Sequence, residues 1–347
     1  MSLVVEHLAE LTGFRDRDVL DVMLVSALRD LLRPHSLGIY RIVGDASRQH
    51  WLTRARIGEF DTAPSADPLW SELDELPALD DRPERARCLR EERLIEQPAA
   101  EPGGPVRLLF PVVTEHEAAG VLEIETAEPL PEEQRRTVQG ILRIYRNFQS
   151  LLDYSERDTL TGLLNRKTFD ECFLRLAVEA ANGSLARSQG GGRRGGPGTF
   201  VSLGVIDIDH FKRVNDQHGH LIGDEVLLLL SRQLRACFRF YDHLFRFGGE
   251  EFVVLVRCSK PDDAFDVFER LRATVAAVQF PRVGQVTVSV GISTLRAGDT
   301  PSAAFDRADK ALYWAKQHGR NRVSDFEALV GLGELADASR ASDVELF

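Results

Sequence analysis

The sequence predicts a mixed α/β chain of the α+β kind, in three consecutive regions. Within residues 1–130, apolar residues first recur at helical spacing and then give way to strand-like segments. Residues 131–157 carry one continuous helical pattern. From residue 158 to 327, a buried strand and a Gly-Gly turn between two strands mark a second α/β region.

The totals describe an ordinary globular chain and exclude some classes of partner. Its 347 residues leave room for two domains. A net charge of −11 offers no basic excess to neutralise phosphates, so we expect no DNA partner, although acidic residues recruit Mg²⁺. No apolar run approaches the ~20 residues that span a bilayer, and no secretion signal is present at the start. Four scattered cysteines without a disulfide pattern complete the prediction of a cytoplasmic protein without a membrane span.

The first region alternates between helix and strand patterns. A helix is predicted within residues 19–32. Four segments have the strand pattern: residues 37–43, 51–57, 106–113 and 118–126, the last two joined by a turn at 114–117. The polar, proline-rich residues 60–105 give no clear assignment.

The second region is predicted as a single helix. Pro131 with Glu132 and Glu133 suits a first helical turn. Apolar residues then follow at spacings of 3, 4, 3 and 4: Val138, Ile141, Tyr145, Phe148 and Leu152. This stripe either packs on its own domain or forms the seam of a parallel dimer helix that connects two domains.

Two segments of the third region are predicted to be poorly ordered. The glycine-rich insert 182–199 is predicted to be a mobile loop, in which Arg193 and Arg194 either bind phosphate or keep the loop soluble. Residues 328–347 form an acidic, weakly patterned tail that we expect to fray.

A carboxylate and a helix start follow the first strand of the third region. Residues 201–206 have the pattern of a buried strand, and Asp207 stands at its C-terminal end, a typical place for a metal ligand. Asp209 is predicted to cap a helix that begins at His210. The free N–H groups of that helix's first turn, together with Lys212, would form an anion site. A metal ligand beside an anion site suits a nucleoside triphosphate with Mg²⁺.

The stretch RFGGEEFVVLV places two glutamates beside a glycine pair. Gly248 and Gly249 predict a tight hairpin turn, in which a bare backbone lets a ligand approach closely. Glu250 and Glu251 then either lie on opposite faces of the second strand or splay around the turn. They are either solvent-facing turn residues, or a metal ligand and a group near a reacting hydroxyl.

Two further pairs have both a structural and a functional interpretation. Asn215 and Asp224 could together recognise the edge of guanine, or they could serve as helix caps. Lys316 and Arg320, four residues apart, share one helix face, which is either simply solvated or flanks a polyphosphate.

Taken together, these motifs resemble the GGDEF domain of diguanylate cyclases. They are residues 158–163 (DTLTGL), 165–166 (NR), 207–212 (DIDHFK), 215–216 (ND), 219–220 (GH), 223–224 (GD), 248–252 (GGEEF), 315–316 (AK) and 319–321 (GRN). The signature turn has Glu at its third position where the family name has Asp, and both acids occur in active members. The first region resembles a GAF sensory domain through residues 110–112 and 120–122, with a PAS-like sensor or another small α+β domain as alternatives.

The resemblance implies a fold and a reaction. The fold is a palm-like α/β domain whose mainly antiparallel sheet is flanked by helices. Two such domains, each holding one GTP, would form cyclic di-GMP and release two pyrophosphates. Asp207, Glu251 and the Ile208 carbonyl would hold two Mg²⁺ or Mn²⁺ ions, and Glu250 would act near the 3′-hydroxyl. The implied GTP-binding residues are His210, Phe211, Lys212, Asn215, Asp224, Gly248, Gly249, Lys316 and Arg320.

A second site is implied upstream of the signature turn. Arg239 and Asp242 match the family's R-x-x-D product-inhibition motif, with Arg270 as a further contributor. Read without the family, R-x-x-D is a surface ion pair. The resemblance further implies a homodimer whose first domain and helix respond to an unknown small-molecule or protein signal. The rival hypotheses are a silent cyclic di-GMP receptor and another purine nucleotide cyclase.

Overall fold

The structure is a computed structural model whose Cα packing divides the chain into two compact units. The N-terminal unit is Met1–Ser155 and the C-terminal unit is Glu156–Phe347. Residues 17–45, 48–68, 71–99, 101, 104–113, 119–188, 200–260 and 262–337 are described, with backbone only at 18, 45 and 179–188.

A five-stranded antiparallel sheet forms the N-terminal unit. Its helix and strands are α1 (Arg17–Leu32), β1 (Ser36–Asp45), β2 (Arg48–Gly58), β3 (Ile95–Gln97), β4 (Val106–Val112) and β5 (Gly120–Thr126). The strand order is β2-β1-β5-β4-β3. The predicted helix and the four predicted strands are therefore confirmed, whereas the turn at 114–117 lies outside the described residues.

The segment that the sequence left unassigned contains short helical elements. They are the 3₁₀ turns Leu73–Glu75 and Leu79–Asp81 and the helix α2 (Pro83–Glu91). Helix α2 buries only Arg85 and Cys88. The Arg85 guanidinium lies 3.4 Å from the centre of the Tyr40 ring and pairs with Glu123 at 2.7 Å. Because an arginine anchors this helix, no apolar periodicity reveals it in the sequence.

The predicted connecting helix is α3 (Glu132–Glu156). Four residues of its apolar stripe, Val138, Ile141, Tyr145 and Leu152, are buried in the core of the N-terminal unit, and Phe148 packs against that core. The stripe therefore packs on its own domain, the first of the two alternatives. The dimer seam predicted along these five residues is wrong, because their side chains are already occupied by α1 and the sheet.

A six-stranded sheet forms the centre of the C-terminal unit. Its strands are β6 (Leu164–Asn165), β7 (Phe200–Ile208), β8 (His243–Gly248), β9 (Glu251–Cys258), β12 (Val288–Thr294) and β13 (Val323–Asp325), with β10 (Gln279–Phe280) and β11 (Gly284–Gln285) as a separate pair. The order is β13-β12-β7-β9-β8-β6. Only the outer pairs β12–β13 and β6–β8 are parallel. The prediction of a mainly antiparallel sheet is confirmed.

Helices cover both faces of this sheet. They are α4 (Arg166–Ser188), α5 (Phe211–His218), α6 (His220–Cys237), α7 (Asp262–Ala277), α8 (Pro301–Gln317) and α9 (Phe326–Gly331). One core joins α5, α6 and α7 to the even-numbered residues of β9, such as Val254. The other core joins α4 and α8 to its odd-numbered residues, such as Val253. The alternation of a β-strand thus assigns each side chain to one of two helical layers.

Part of each segment that was predicted to be poorly ordered is helical or packed. The backbone of 182–188 is the end of α4, because only one glycine, Gly183, precedes the glycine-dense stretch. Residues 189–199, with Arg193 and Arg194, lie outside the described residues. The prediction that the tail frays is wrong for residues 328–337. Helix α9 continues through this part of the chain to Gly331, and Leu329 packs with Ala311 in a small core.

The structure bears on two further features of the sequence, the length of its apolar segments and the state of its cysteines. Within the described residues, no helix is both long enough and apolar enough to cross a membrane. The four cysteines are free thiols. Burial raises the pKa of Cys88 and Cys258 to about 12 and that of Cys172 to about 11.

Candidate active site

The sheet register brings Asp207 and Glu251 together. Asp207 near the end of β7 lies directly opposite Glu251 at the start of β9. Both residues have odd numbers, so strand alternation puts them on the face that α4 and α8 cover. Directly opposed residues have Cβ atoms about 5 Å apart, so the two carboxylates share one end of this sheet face.

The signature hairpin turns one residue later than predicted. Gly248 pairs with Glu251, so the two turn residues are Gly249 and Glu250. Gly249 has a φ of 51° and Gly248 a φ of 143°, and both lie in the region that favours glycine. The shift arises from a bulge between Arg246 and Gly248. Glu250 and Glu251 therefore splay around the turn, the second of the two expected arrangements.

The surroundings of the three acids in this site disfavour their charged forms. Burial raises the pKa of Asp207, Glu250 and Glu251, and neighbouring carboxylates raise it further, including Asp309 beside Glu251. The Lys316 ammonium, 2.9 Å from Asp207 Oδ2, opposes the rise without cancelling it. Additional positive charge, such as a metal ion, would stabilise the ionised form of these partly desolvated carboxylates.

Helix α8 reaches this site because a glycine lets it lie close to the sheet. A Cβ on Gly291 of β12 would stand 2.1 Å from the carbonyl oxygen of Ala308 and 2.2 Å from the amide nitrogen of Leu312. Only glycine allows this approach, which sets the height of α8 and so of Lys316 near its end. Arg320 follows in the left-handed region, and its charge also lowers the pKa of Asp207.

Asp209 has a different role from the one predicted. The N-cap of α5 is His210 in the left-handed region, and α5 begins at Phe211. The buried Asp209 carboxylate instead accepts hydrogen bonds from the Thr287 and Ser289 hydroxyls, both at 2.7 Å, and from the Asn321 amide at 3.0 Å. The N-cap prediction is wrong, because the Asp209 carboxylate binds these three donors instead of the free N–H groups at the start of α5. Asp209 thereby ties the segment around Asn321 to the sheet.

Asn215 and Asp224 lie on two successive helices that meet through a glycine. A Cβ on Gly223 would stand 2.0 Å from Asn215 Oδ1, so the Asn215 side chain lies directly over the residue before Asp224. Neither residue is a cap, because Gly219 is both the C-cap of α5 and the N-cap of α6, and Asp224 lies inside α6. The capping alternative is therefore wrong, and both side chains are partly exposed and available to a ligand.

The donor set at the sheet end fits a divalent cation. Asp207 and Glu251 offer carboxylate oxygens from neighbouring strands, and the Ile208 carbonyl follows Asp207 in the chain. Across the described residues, no three acidic, histidine or cysteine side chains already converge as a complete metal cluster. Mg²⁺ commonly binds through one or two carboxylates and completes its shell with water and substrate phosphates. The residues present match that pattern.

The C-terminal unit also matches a known family. Residues 155–322 match the family described as "Diguanylate cyclase, GGDEF domain".

Curated relatives are similar over this part of the chain. The diguanylate cyclase DgcP of Pseudomonas aeruginosa is 43% identical over 169 residues, 48% of this chain and 23% of that protein. The response regulator PleD of Caulobacter vibrioides is 38% identical over 196 residues, 55% of this chain and 40% of that protein. The chain thus spans well under half the length of these relatives.

One solved structure is similar over the same part of the chain. It is the coiled coil and GGDEF domain of DgcB from Caulobacter crescentus in complex with cyclic di-GMP. The two are 28% identical, with a TM-score of 0.47, and the similarity covers 56% of this chain and 97% of that one.

The start of the matched residues 155–322 holds the signature turn in place. Arg246 donates to both carboxylate oxygens of Asp158, at 3.0 and 3.1 Å, and to the Gly249 carbonyl, at 2.8 and 3.2 Å. Burial alone would raise the pKa of Asp158, but hydrogen bonds from Thr161 and the Arg246 charge lower it. Asp158 opens the DTLTGL motif and Arg246 stands just before the GGEEF motif, but no local pattern in the sequence indicates the contact between them.

The three residues predicted for product inhibition lie together in the C-terminal unit. Arg239, Asp242 and Arg270 line one cleft of about 140 Å³. Asp242 Oδ2 accepts from the Arg239 amide at 2.9 Å, and Arg270 donates to the Cys237 carbonyl at 2.6 Å. Burial raises the pKa of Asp242 to about 6, even though the Arg239 and Arg257 amides favour its charged form.

Proposed function

We propose that this protein is a diguanylate cyclase, which condenses two GTP molecules into cyclic di-GMP and releases two pyrophosphates. The observation that carries this proposal is the pairing of Asp207 with Glu251 at the end of the sheet, beside Lys316. It supports a nucleotidyl transfer because phosphoryl chemistry depends on positioning and charge neutralisation more than on covalent help from the protein.

Two acids and a backbone oxygen would hold the metal. Asp207, Glu251 and the Ile208 carbonyl would bind two Mg²⁺ or Mn²⁺ ions, which supply positive charge to the phosphates and acidify the attacking hydroxyl. Glu250, in the turn with a raised pKa, would accept or position the 3′-hydroxyl proton.

Cations and bare backbone would hold the GTP. The Lys316 ammonium, which pairs with Asp207 in this structure, would move from that carboxylate to a phosphate oxygen of GTP. Arg320 and the exposed Lys212 would add positive charge to the same phosphates. The backbone amides of His210 and Phe211 would add donors. A Cβ at Gly248 or Gly249 would meet nothing within 4 Å, so the turn is open to a ligand.

Asn215 and Asp224 would recognise the base. An amide and a carboxylate can donate to and accept from the edge of guanine, and Gly223 lets the two side chains approach. This pair favours GTP over ATP, because adenine offers a different pattern of donors and acceptors.

A homodimer would bring two loaded domains together. Along α3, Ile144, Asn147, Leu151 and Tyr154 follow at spacings of 3, 4 and 3 on a face that leaves Leu151 65% and Tyr154 80% exposed. This stripe, different from the buried one, would form the helix contact between two copies. The N-terminal unit would be a GAF- or PAS-like sensor of a small-molecule or protein signal.

The cleft around Asp242 would bind the product. Arg239 and Arg270 can each form paired hydrogen bonds to a phosphate or to the guanine edge, and ionised Asp242 can accept from guanine. Occupation of this cleft would lower the rate of the cyclase as cyclic di-GMP accumulates.

The experiment is turnover of GTP by the purified full chain with Mg²⁺, the product being identified by mass. Wild type should form cyclic di-GMP, Glu251→Gln none, and Glu225→Gln, which removes an exposed α6 carboxylate outside the site, should match wild type. Equal activity of Glu251→Gln would contradict the proposal. A wild type that binds cyclic di-GMP but forms none would instead be a receptor.

A further inference from the structure

The N-terminal unit contains an open cleft that the proposed cyclase reaction does not use. It has a volume of about 580 Å³, within the range of small-molecule sites. It lies between the loop after α2, the strand β4 and the outer surface of α3. Its lining residues are Glu92, Arg93, Leu94, Phe110, Pro111, Arg136, Gln139, Gly140, Leu142, Arg143 and Arg146.

Positive charge dominates this cleft in a chain that is acidic overall. Four arginines and one glutamate line it. Two of the arginines are paired with acids, Arg93 with Glu91 at 2.6 Å and Arg136 with Glu132 at 3.1 Å. Arg143 and Arg146 form no ion pair with any residue that the structure describes. With the lining Glu92 counted as well, the cleft keeps a net charge of about +1, and Arg143 and Arg146 are the two arginines without a paired acid.

Arg146 adds a second, independent observation. Its Nε is buried from solvent and has no hydrogen-bond partner among the described residues. A buried guanidinium N–H without an acceptor costs free energy, and native proteins satisfy nearly all such groups. Because Arg146 also lines the cleft, an acceptor that enters there would satisfy it.

Part of the lining is apolar. Leu94, Phe110, Pro111 and Leu142 contribute to the lining. The cleft therefore combines two guanidinium groups that can bind an anion with a surface for a hydrophobic or aromatic group.

We propose that this cleft binds a small phosphate monoester that carries an apolar group. A phosphate monoester has close to two negative charges at neutral pH and three acceptor oxygens, which match two guanidinium forks. Arg143 and Arg146 hold the phosphate, and the apolar part of the lining holds the remainder. Because both arginines lie on α3, and the GGDEF domain match starts at residue 155 near its end, the ligand binds to the helix that leads into that domain.

Calorimetric titration of the full chain tests this inference without relying on cyclase activity. The probes are phenyl phosphate, inorganic phosphate and phenol, and the variants are Arg143→Gln, the double variant Arg143→Gln/Arg146→Gln, and Arg90→Gln. Arg90 is an exposed arginine of α2 that does not line the cleft, so its variant controls for the loss of one charge. Arg143 is exposed, so its variant keeps the fold if the double variant does not.

We expect phenyl phosphate to bind more tightly than inorganic phosphate, and phenol not to bind. Arg143→Gln should weaken phenyl phosphate binding about tenfold, the double variant should weaken it further, and Arg90→Gln should match wild type. Absence of phenyl phosphate binding at millimolar concentration would overturn the proposal, as would unchanged binding to both cleft variants. Binding that is lost in Lys316→Met but kept in the double variant would place the phosphate at the GTP site and also overturn it.

Discussion

Replacing Asp242 by asparagine should change how the stability of the protein depends on pH. Burial raises the pKa of Asp242 from the ordinary 3.8 to about 6, so folding favours its neutral form. A carboxyl with a raised pKa in the folded state stabilises the fold below its ordinary pKa. That contribution is lost as the pH rises through about 6.

The expected size follows from the two pKa values. Between pH 4.5 and 7.5 the wild type should lose about 2 kcal/mol of unfolding free energy that Asp242→Asn does not lose. Asparagine keeps one acceptor oxygen but replaces the other by NH₂, so one of the bonds from the Arg239 and Arg257 amides is lost. This costs about 1 kcal/mol at every pH.

The assay is denaturant unfolding of both proteins from pH 4.5 to 7.5. The difference in unfolding free energy, variant minus wild type, should rise with pH by about 2 kcal/mol. A flat difference for Asp242→Asn would refute the reasoning that burial controls this carboxyl.

Three glycine and arginine substitutions test how the site is held. Arg246→Gln should lower the free energy of unfolding by about 1–3 kcal/mol above pH 5 and by less in acid. The reason is that the lowered pKa of Asp158 contributes stability that is lost as the pH falls. Denaturant unfolding at pH 7 and pH 4 measures this difference. Gly223→Ala should raise the KM for GTP about tenfold by displacing Asn215, and an unchanged KM would argue against guanine contact. Gly291→Ala should lower the free energy of unfolding by about 1–3 kcal/mol or more by lifting α8. Gly331→Ala, with open space at its Cβ and no left-handed φ, should not show that steric cost in thermal unfolding.

The sequence predicts the site well where local chemistry decides the structure. Strand alternation and turn glycines are local signals, so the strand ending at Asp207 and the hairpin before Glu251 could be read directly. Asp207 and Glu251 come together only through register, a long-range property that the resemblance supplied and the spacing could not.

The errors arose where tertiary contacts override local preference. Asp209 precedes a helix and has good N-cap chemistry, yet the Thr287 and Ser289 hydroxyls on and beside another strand claim its carboxylate. The stripe on α3 has coiled-coil spacing, yet spacing alone does not say whether the partner is another chain or the same one. Helix α2 could not be seen at all, since its anchor is the arginine Arg85.

The dependence of cyclic di-GMP formation on Mg²⁺ concentration tests most directly the claim that the paired carboxylates bind the metal. Initial rates are compared for wild type and Asp207→Asn at fixed GTP. Wild type should show a saturable rise, whereas the variant should form no product at any Mg²⁺ concentration, because one of its two carboxylate ligands is gone. A variant with the wild-type Mg²⁺ curve would contradict the account.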